Sequence, residues 1–294
     1  MNLDFIVKKT FQISERDFNS YCHDFNLIFD KKFSTDELKK KYCSGKDGYS
    51  IHSLLYNDKK EICAGFTLIP YTYIFNGKKI TIALGCDAFV KKEYRSNEFI
   101  LYKLYKNLAK EQLSNNIEFI LSIPNPKATR YWEVLAKWKK IGQLKLRIFP
   151  LNLFNMKFIW KRIFYLFNNF LTSDNSFDVI LNIDKSFVSN RFFGYKKYNN
   201  TYYKIYKEGK YSVLYIFCVD SISRDEKKNL FKHLYDNYNV DFISVCTNYE
   251  FKPLIRVPKF IINRDINVMI DNELDSFKPP FSKWALSLTN FDNR

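Results

Sequence analysis

Residues 82–142 constrain the fold more than any other part of the chain. They run as a β-compatible stretch, IALGCDAFV, then a basic turn, KKEYRSN, then a long amphipathic stretch. A short apolar run, IEFILSI, follows, and then Asn125-Pro126-Lys127-Ala128 opens a second helical stretch. In the first helix Ile100, Leu101, Leu104, Tyr105 and Leu108 follow the i, i+1, i+4, i+5, i+8 spacing of a helix that buries one face. The apolar run over 117–123 is a strand bounded by Pro124, and 127–138 form the second helix. Strand, helix, strand, helix in this order calls for a domain in which helices cover a sheet.

The residues ahead of this segment predict mostly antiparallel strands. Residues 5–14 read as a first strand. Residues 15–29 suit a helix, opened by Ser14 with Asp17 three positions on. Ser34-Thr35-Asp36 caps a second helix over 37–42, and Ser44-Gly45-Lys46-Asp47-Gly48 is turn chemistry. Residues 49–56 form a strand, 57–60 a turn, and 61–75 a strand pair or one long bent strand around Gly65 and Pro70. Asn76-Gly77 is the strongest hairpin signal in the chain, and it leads into a strand over 79–90. Successive antiparallel strands argue for a mixed sheet rather than a parallel one.

The 294 residues leave room for one large domain or two smaller ones. Lys and Arg exceed Asp and Glu by 47 − 31 = 16. That balance favours anionic partners: CoA, nucleotide sugars, an anionic membrane face or nucleic acid. No zinc finger, RNA-recognition signature or basic arm is present, so nucleic acid is the weaker choice. The six cysteines form no C-x-x-C pair, and His23, His52 and His233 are the only histidines beside them. The reading is no metal site, and reduced thiols in a cytosolic protein. The first residues, MNLDFIVKKTFQIS, lack an apolar signal core. No uncharged run reaches the roughly 18 residues that a transmembrane helix needs.

From Arg147 to Leu171 the chain is apolar and aromatic, with Lys157, Lys161 and Arg162 its only later charges. Its 153–171 part reads first as a buried helix packing two lobes, because apolar residues circle most of the helix, and second as a basic aromatic helix on an anionic membrane face. Thr172 to Ser176 is a linker by composition. The expected organisation is therefore a domain over 1–145, an apolar basic helical linker over 146–176 and a second domain over 177–294. In the second domain strands are expected over 201–206, 211–219 and 242–246 and near 260–263. A helix over 224–238 is capped by Ser223, with Glu226 three residues later.

The order of elements over 82–142, with the pieces quoted above, resembles the acyl-CoA-binding heart of the GNAT N-acyltransferases. That family meets the CoA pyrophosphate with R/Q-x-x-G-x-G/A at a helix start, where free backbone N–H groups and the helix dipole favour an anion. The corresponding residues are Arg95, Ser96, Asn97, Glu98, Phe99 and Ile100. Arg95 fits, while Glu98 and Ile100 stand where glycines belong. The resemblance places Phe89 and Val90 beside the pantetheine arm, with backbone donors there to polarise the thioester carbonyl. Lys91 and Lys92 follow where phosphate would be met. In N-x-x-A-x-x-F/L-Y-E the matching residues are Asn125, Ala128, Tyr131 and Glu133, with Trp132 in place of the tyrosine that protonates the departing thiolate. Tyr131, about 100° round the helix, is then the candidate acid. Asp87 is the first choice of general base, ahead of Glu61 and His52.

Arg191, Tyr195, Trp284 and Asp292 loosely match tandem GNAT-like proteins of bacterial surface-polysaccharide loci. The implied fold is α/β, with two GNAT-like lobes, each a mixed, mostly antiparallel sheet flanked by helices. The implied activity is cytoplasmic acyl-CoA-dependent N-acyl transfer, with acetyl-CoA or another acyl-CoA as co-substrate, to an amino sugar or other amine. A Fem-like transferase using aminoacyl-tRNA and a non-catalytic GNAT-fold binding protein are the alternatives.

Overall fold

In a computed structural model the described residues are 3–169, 177–217, 224–250, 254–257, 266–271 and 280–291. The chain begins with β1 (Asp4–Lys9), α1 (Glu15–Phe29), α2 (Thr35–Tyr42), β2 (Ile51–Tyr56), β3 (Ile62–Phe75), β4 (Lys78–Val90), α3 (Ile100–Ser114), β5 (Phe119–Ser122) and α4 (Pro126–Val134). It continues through β6 (Lys139–Pro150), α5 (Lys157–Asn169), β7 (Val179–Leu181), α6 (Lys185–Arg191), β8 (Lys196–Tyr198), β9 (Thr201–Glu208) and β10 (Tyr211–Phe217). Helix α7 (Arg224–Asn237) and strands β11 (Phe242–Thr247), β12 (Ile255–Arg256), β13 (Ile266–Ile270) and β14 (Trp284–Ala285) complete it.

The contacts divide the chain into two compact units that interleave in sequence. One holds Met1–Ile141, Leu181–Phe193 and Val268–Lys278, and the other Gly142–Ile180, Gly194–Asn267 and Pro279–Arg294. They are not the consecutive stretches read from the sequence, because β13 belongs with the first strands and not with its neighbours in the chain.

The first unit follows from its local signals. Ser14 Oγ accepts the Asp17 amide at the start of α1, and Ser34 with Glu37 forms a full capping box on α2. Asn76 and Gly77 take left-handed backbone, φ 47° and 77°, and fold β3 onto β4 in one long antiparallel hairpin. Strands β1 to β4 pair antiparallel in sequence order. Strand β5 lies parallel to β4, and β13 lies antiparallel to β5. The apolar face of α3 is buried as its spacing predicts, through Ile100, Leu104, Tyr105 and Leu108. Trp132 of α4 stacks on Phe66 and Trp138, with ring centroids 5.2 and 5.1 Å apart.

The second unit is also a mostly antiparallel sheet with helices on it. Strand β6 pairs antiparallel with β11, β11 parallel with β10, and β9 and β8 continue antiparallel. Its core centres on Phe164 of α5, stacked on Phe231 of α7 at 4.3 Å. Antiparallel β9 and β10, then helix α7, then parallel β11 repeats the order of β3, β4, α3 and β5. Residues 146–176, expected as a helical linker, instead open with the second half of β6. The run of alternating residues there pairs with β11 from Lys145 to Pro150, and only then does α5 begin. The 172–176 linker, the Ser223 cap, the strand near 260–263 and Asp292 lie outside the described residues.

Candidate functional site

The site begins where two parallel strands part. Strand β5 registers with β4 only over Ile82↔Phe119, Ala83↔Ile120 and Leu84↔Leu121. Strand β4 runs on to Val90 with no β5 residue beside it. Gly85 stands at the divergence, where a Cβ would come within 2.8 Å of Ile120 Cγ2. On the other edge Thr67 pairs with Cys86 and Gly65 with Phe89, so Asp87 and Ala88 together face Phe66. This is a β-bulge, and Asp87 holds it with φ 55°, a conformation aspartate accepts more readily than most side chains. Beyond the bulge the Lys91 amide donates to the Cys63 carbonyl of the β3 edge at 2.8 Å. Strand alternation then turns the backbone of Val90 towards the edge that β5 has left, and Arg95 Nε donates to the Val90 carbonyl there at 2.8 Å.

A buried polar network sits under the bulge. Asp87 Oδ2 pairs with Lys41 Nζ at 2.6 Å and accepts from Tyr42 Oη at 2.7 Å. The Tyr42 and Tyr21 hydroxyls lie 2.9 Å apart. Burial, and then the Asp87 charge, push both tyrosines well above the usual phenol range, so both stay protonated. The His52 ring lies between Thr10 Oγ1 at 3.0 Å and Thr67 Oγ1 at 2.9 Å. Burial, with Lys41 adding, pushes its pKa down to about 3. His52 is therefore a neutral strut. Lys41 was not foreseen, although it lies three residues after buried Leu38 on the inner face of α2.

The turn after β4 leads to the start of α3, which no side chain caps. No residue from Lys91 to Leu101 has positive φ. The missing glycines thus impose no backbone strain. Ile100 is 1% exposed and belongs to the core, while Arg95, Ser96, Asn97, Glu98 and Phe99 are all exposed. Asn97 Oδ1 accepts the Phe99 amide at 3.1 Å. The key contact crosses from α4: Tyr131 Oη donates to the Glu98 carbonyl at 2.8 Å. Burial, with the Glu98 charge adding, raises the Tyr131 pKa, while the Tyr102 backbone opposes the rise. Trp132, by contrast, is only 3% exposed. The α4 rotation that sinks Trp132 into the core is what turns Tyr131 towards the α3 start.

The other predicted residues hold structural contacts. Asn125 caps α4, its Oδ1 accepting the Ala128 amide at 2.9 Å. Phe89 is buried against Tyr21, with centroids 5.5 Å apart. Lys91 pairs with Asp24 of α1 at 2.8 Å. Glu61 accepts from Asn57 Nδ2 at 2.9 Å. Contacts therefore join Val90 with Arg95 and Tyr131 with Glu98 across the turn after β4, Asp87 is held by Lys41 and Tyr42, and His52, Asn125 and Glu61 are held by partners of their own. Among the described residues no cluster of three or more His, Cys, Asp or Glu could hold a metal.

No protein-family model and no curated protein matches the sequence. Solved structures do match the fold. A GCN5-related N-acetyltransferase from Anabaena variabilis is similar over 91% of this chain and 72% of its own, at 11% identity and a TM-score of 0.58. A probable N-acyltransferase from Enterococcus faecalis is similar over the same shares, at 9% identity and 0.57. Saccharomyces cerevisiae N-myristoyltransferase, solved with myristoyl-CoA, is similar over 92% of this chain and 79% of its own, at 11% identity and 0.53. The likeness is one of fold, and this chain has the fold of the GNAT N-acetyltransferases.

Proposed function

We propose that the chain is an acyl-CoA-dependent N-acyltransferase, and more finely an N-acetyltransferase of an amino sugar in surface-polysaccharide assembly. The observation that carries the reading is the open edge of β4 beyond Leu84, which runs past a bulge to the uncapped start of α3, where Tyr131 bonds the Glu98 carbonyl. An extended thioester arm would run along the β4 edge at Val90, whose carbonyl Arg95 Nε holds, and a pyrophosphate would meet the amides at the α3 start. The neutral acceptor amine attacks the thioester carbonyl carbon. The new C–N bond forms, the C–S bond breaks, and the Tyr131 hydroxyl gives its proton to the departing sulfur. Its raised pKa keeps that proton available at neutral pH. Asp87, expected as the base, is assigned to positioning: Lys41 and Tyr42 already share its Oδ2, and together they pin the bulge. The acceptor loses its own proton to solvent.

Calorimetric titration with acetyl-CoA, beside the Glu98→Gly variant, tests this. Micromolar binding by the unaltered protein supports the reading, and thiol release is then followed with amino sugars as acceptors. Binding by the variant alone would mean a GNAT fold that has lost its co-substrate. Binding by neither, with salt-dependent retention of aminoacyl-tRNA, would replace the proposal with the Fem-like one.

A further inference from the structure

Helix α5 and the turn before it carry an apolar surface that the second unit does not cover. The inner side of the helix is anchored: Phe164 is fully buried, and Trp160 Nε1 donates to the Leu153 carbonyl at 3.1 Å. The outer side is open. Phe154 is 75% exposed, Phe158 65%, Ile159 48% and Leu166 63%. Phe154 and Asn155 both sit at φ 58°, a left-handed backbone that disfavours a bulky side chain. The chain thus accepts local strain while presenting an aromatic ring to solvent.

The charges within this stretch of chain have one sign. Residues 153–169 contain no Asp or Glu but include Lys157, Lys161 and Arg162. The Arg162 guanidinium lies 4.5 Å over the Phe158 ring. Lys161 pairs with Asp236 of α7 at 2.8 Å, and Lys232 and Lys157 also act on that carboxylate. Three cations therefore act on one anion, and Arg162 adds a fourth positive charge over an exposed ring.

We propose that this face rests on an anionic lipid bilayer, with α5 in the plane of the headgroups. An exposed apolar face that also carries Lys and Arg suits that interface, where rings enter the acyl boundary and cations meet lipid phosphates. A second copy of the chain fits less well, since a two-fold contact through this face would bring cations against cations. Nor is the helix a span: among the described residues none is long and apolar enough to cross a membrane. The inference does not depend on the acyl-transfer reading.

The test is flotation of the full chain with phosphatidylcholine vesicles, with and without about a quarter phosphatidylserine. The protein should float with the anionic vesicles, less with the neutral ones, and less as salt rises. Both the Phe158→Ser, Leu166→Ser double variant and Arg162→Glu should lower binding by about tenfold or more. All these side chains are exposed, so thermal unfolding should barely move. No flotation with anionic vesicles would overturn the proposal, as would flotation undiminished in both variants. So would a dimer in sedimentation that the double variant abolishes, which would assign the face to a second copy.

Discussion

His52 shows how burial can make a side chain that often titrates near neutrality purely structural. Its folded pKa of about 3 lies below the ordinary value of 6.5. Below about pH 6.5 the unfolded chain takes up a proton that the folded chain refuses. Stability from this residue is complete above that pH and falls by roughly 1.4 kcal/mol per unit as pH drops towards 3. Urea unfolding between pH 7 and pH 4 should therefore be steeper in pH for the unaltered protein than for His52→Gln; equal slopes would mean the ring is not sealed. Tyr131 carries the complementary test. Tyr131→Phe keeps the ring but removes the proton, so kcat for acyl transfer should fall about a hundredfold with little change in KM. Its stability should drop by about 1 kcal/mol, for the bond to the Glu98 carbonyl. The candidate acid was identifiable in the sequence as a residue type, but its reach was not, because that depends on how Trp132 sets the rotation of α4.

At the scale of elements, the local signals were legible. Ser14, Ser34 with Glu37, the 3.6 period of α3 and the Asn76-Gly77 turn act over a few residues, and each produces the element it predicts. The bulge at Asp87 was not legible, since it is a count of β4 residues against β3 and appears only once the strands are paired. The same holds for the parting of β4 from β5, where close packing is set by Gly85. Gly85→Ala should press a methyl group on Ile120 and Phe66 and cost about 1–3 kcal/mol, read as a lower denaturant midpoint. An unchanged midpoint would show that Ile120 gives way freely.

At the scale of the whole molecule, the interleaving of the units was beyond any reading of neighbouring residues. Asp271, only 2% exposed, accepts from Gln112 Nε2 at 2.7 Å and from the Ile120 amide at 2.8 Å. Asp271→Ala would leave both buried donors without this acceptor and should lower the stability of the first unit by about 2–4 kcal/mol. Hydrogen exchange at Ile120 and its neighbours in β5 should quicken accordingly. Loss confined to the second unit would contradict the assignment.

The same contact sets a timetable for synthesis. Ile120 leaves the ribosome 151 residues before the carboxylate that receives its amide. At about 5–20 residues per second that gap is roughly 8–30 s. Throughout it the β5 edge lacks its β13 partner and is open to pairing with another nascent chain. A ribosome stalled in that interval after Phe193 would leave the first unit with the same open edge, although every residue of that unit before Val268 had already been made.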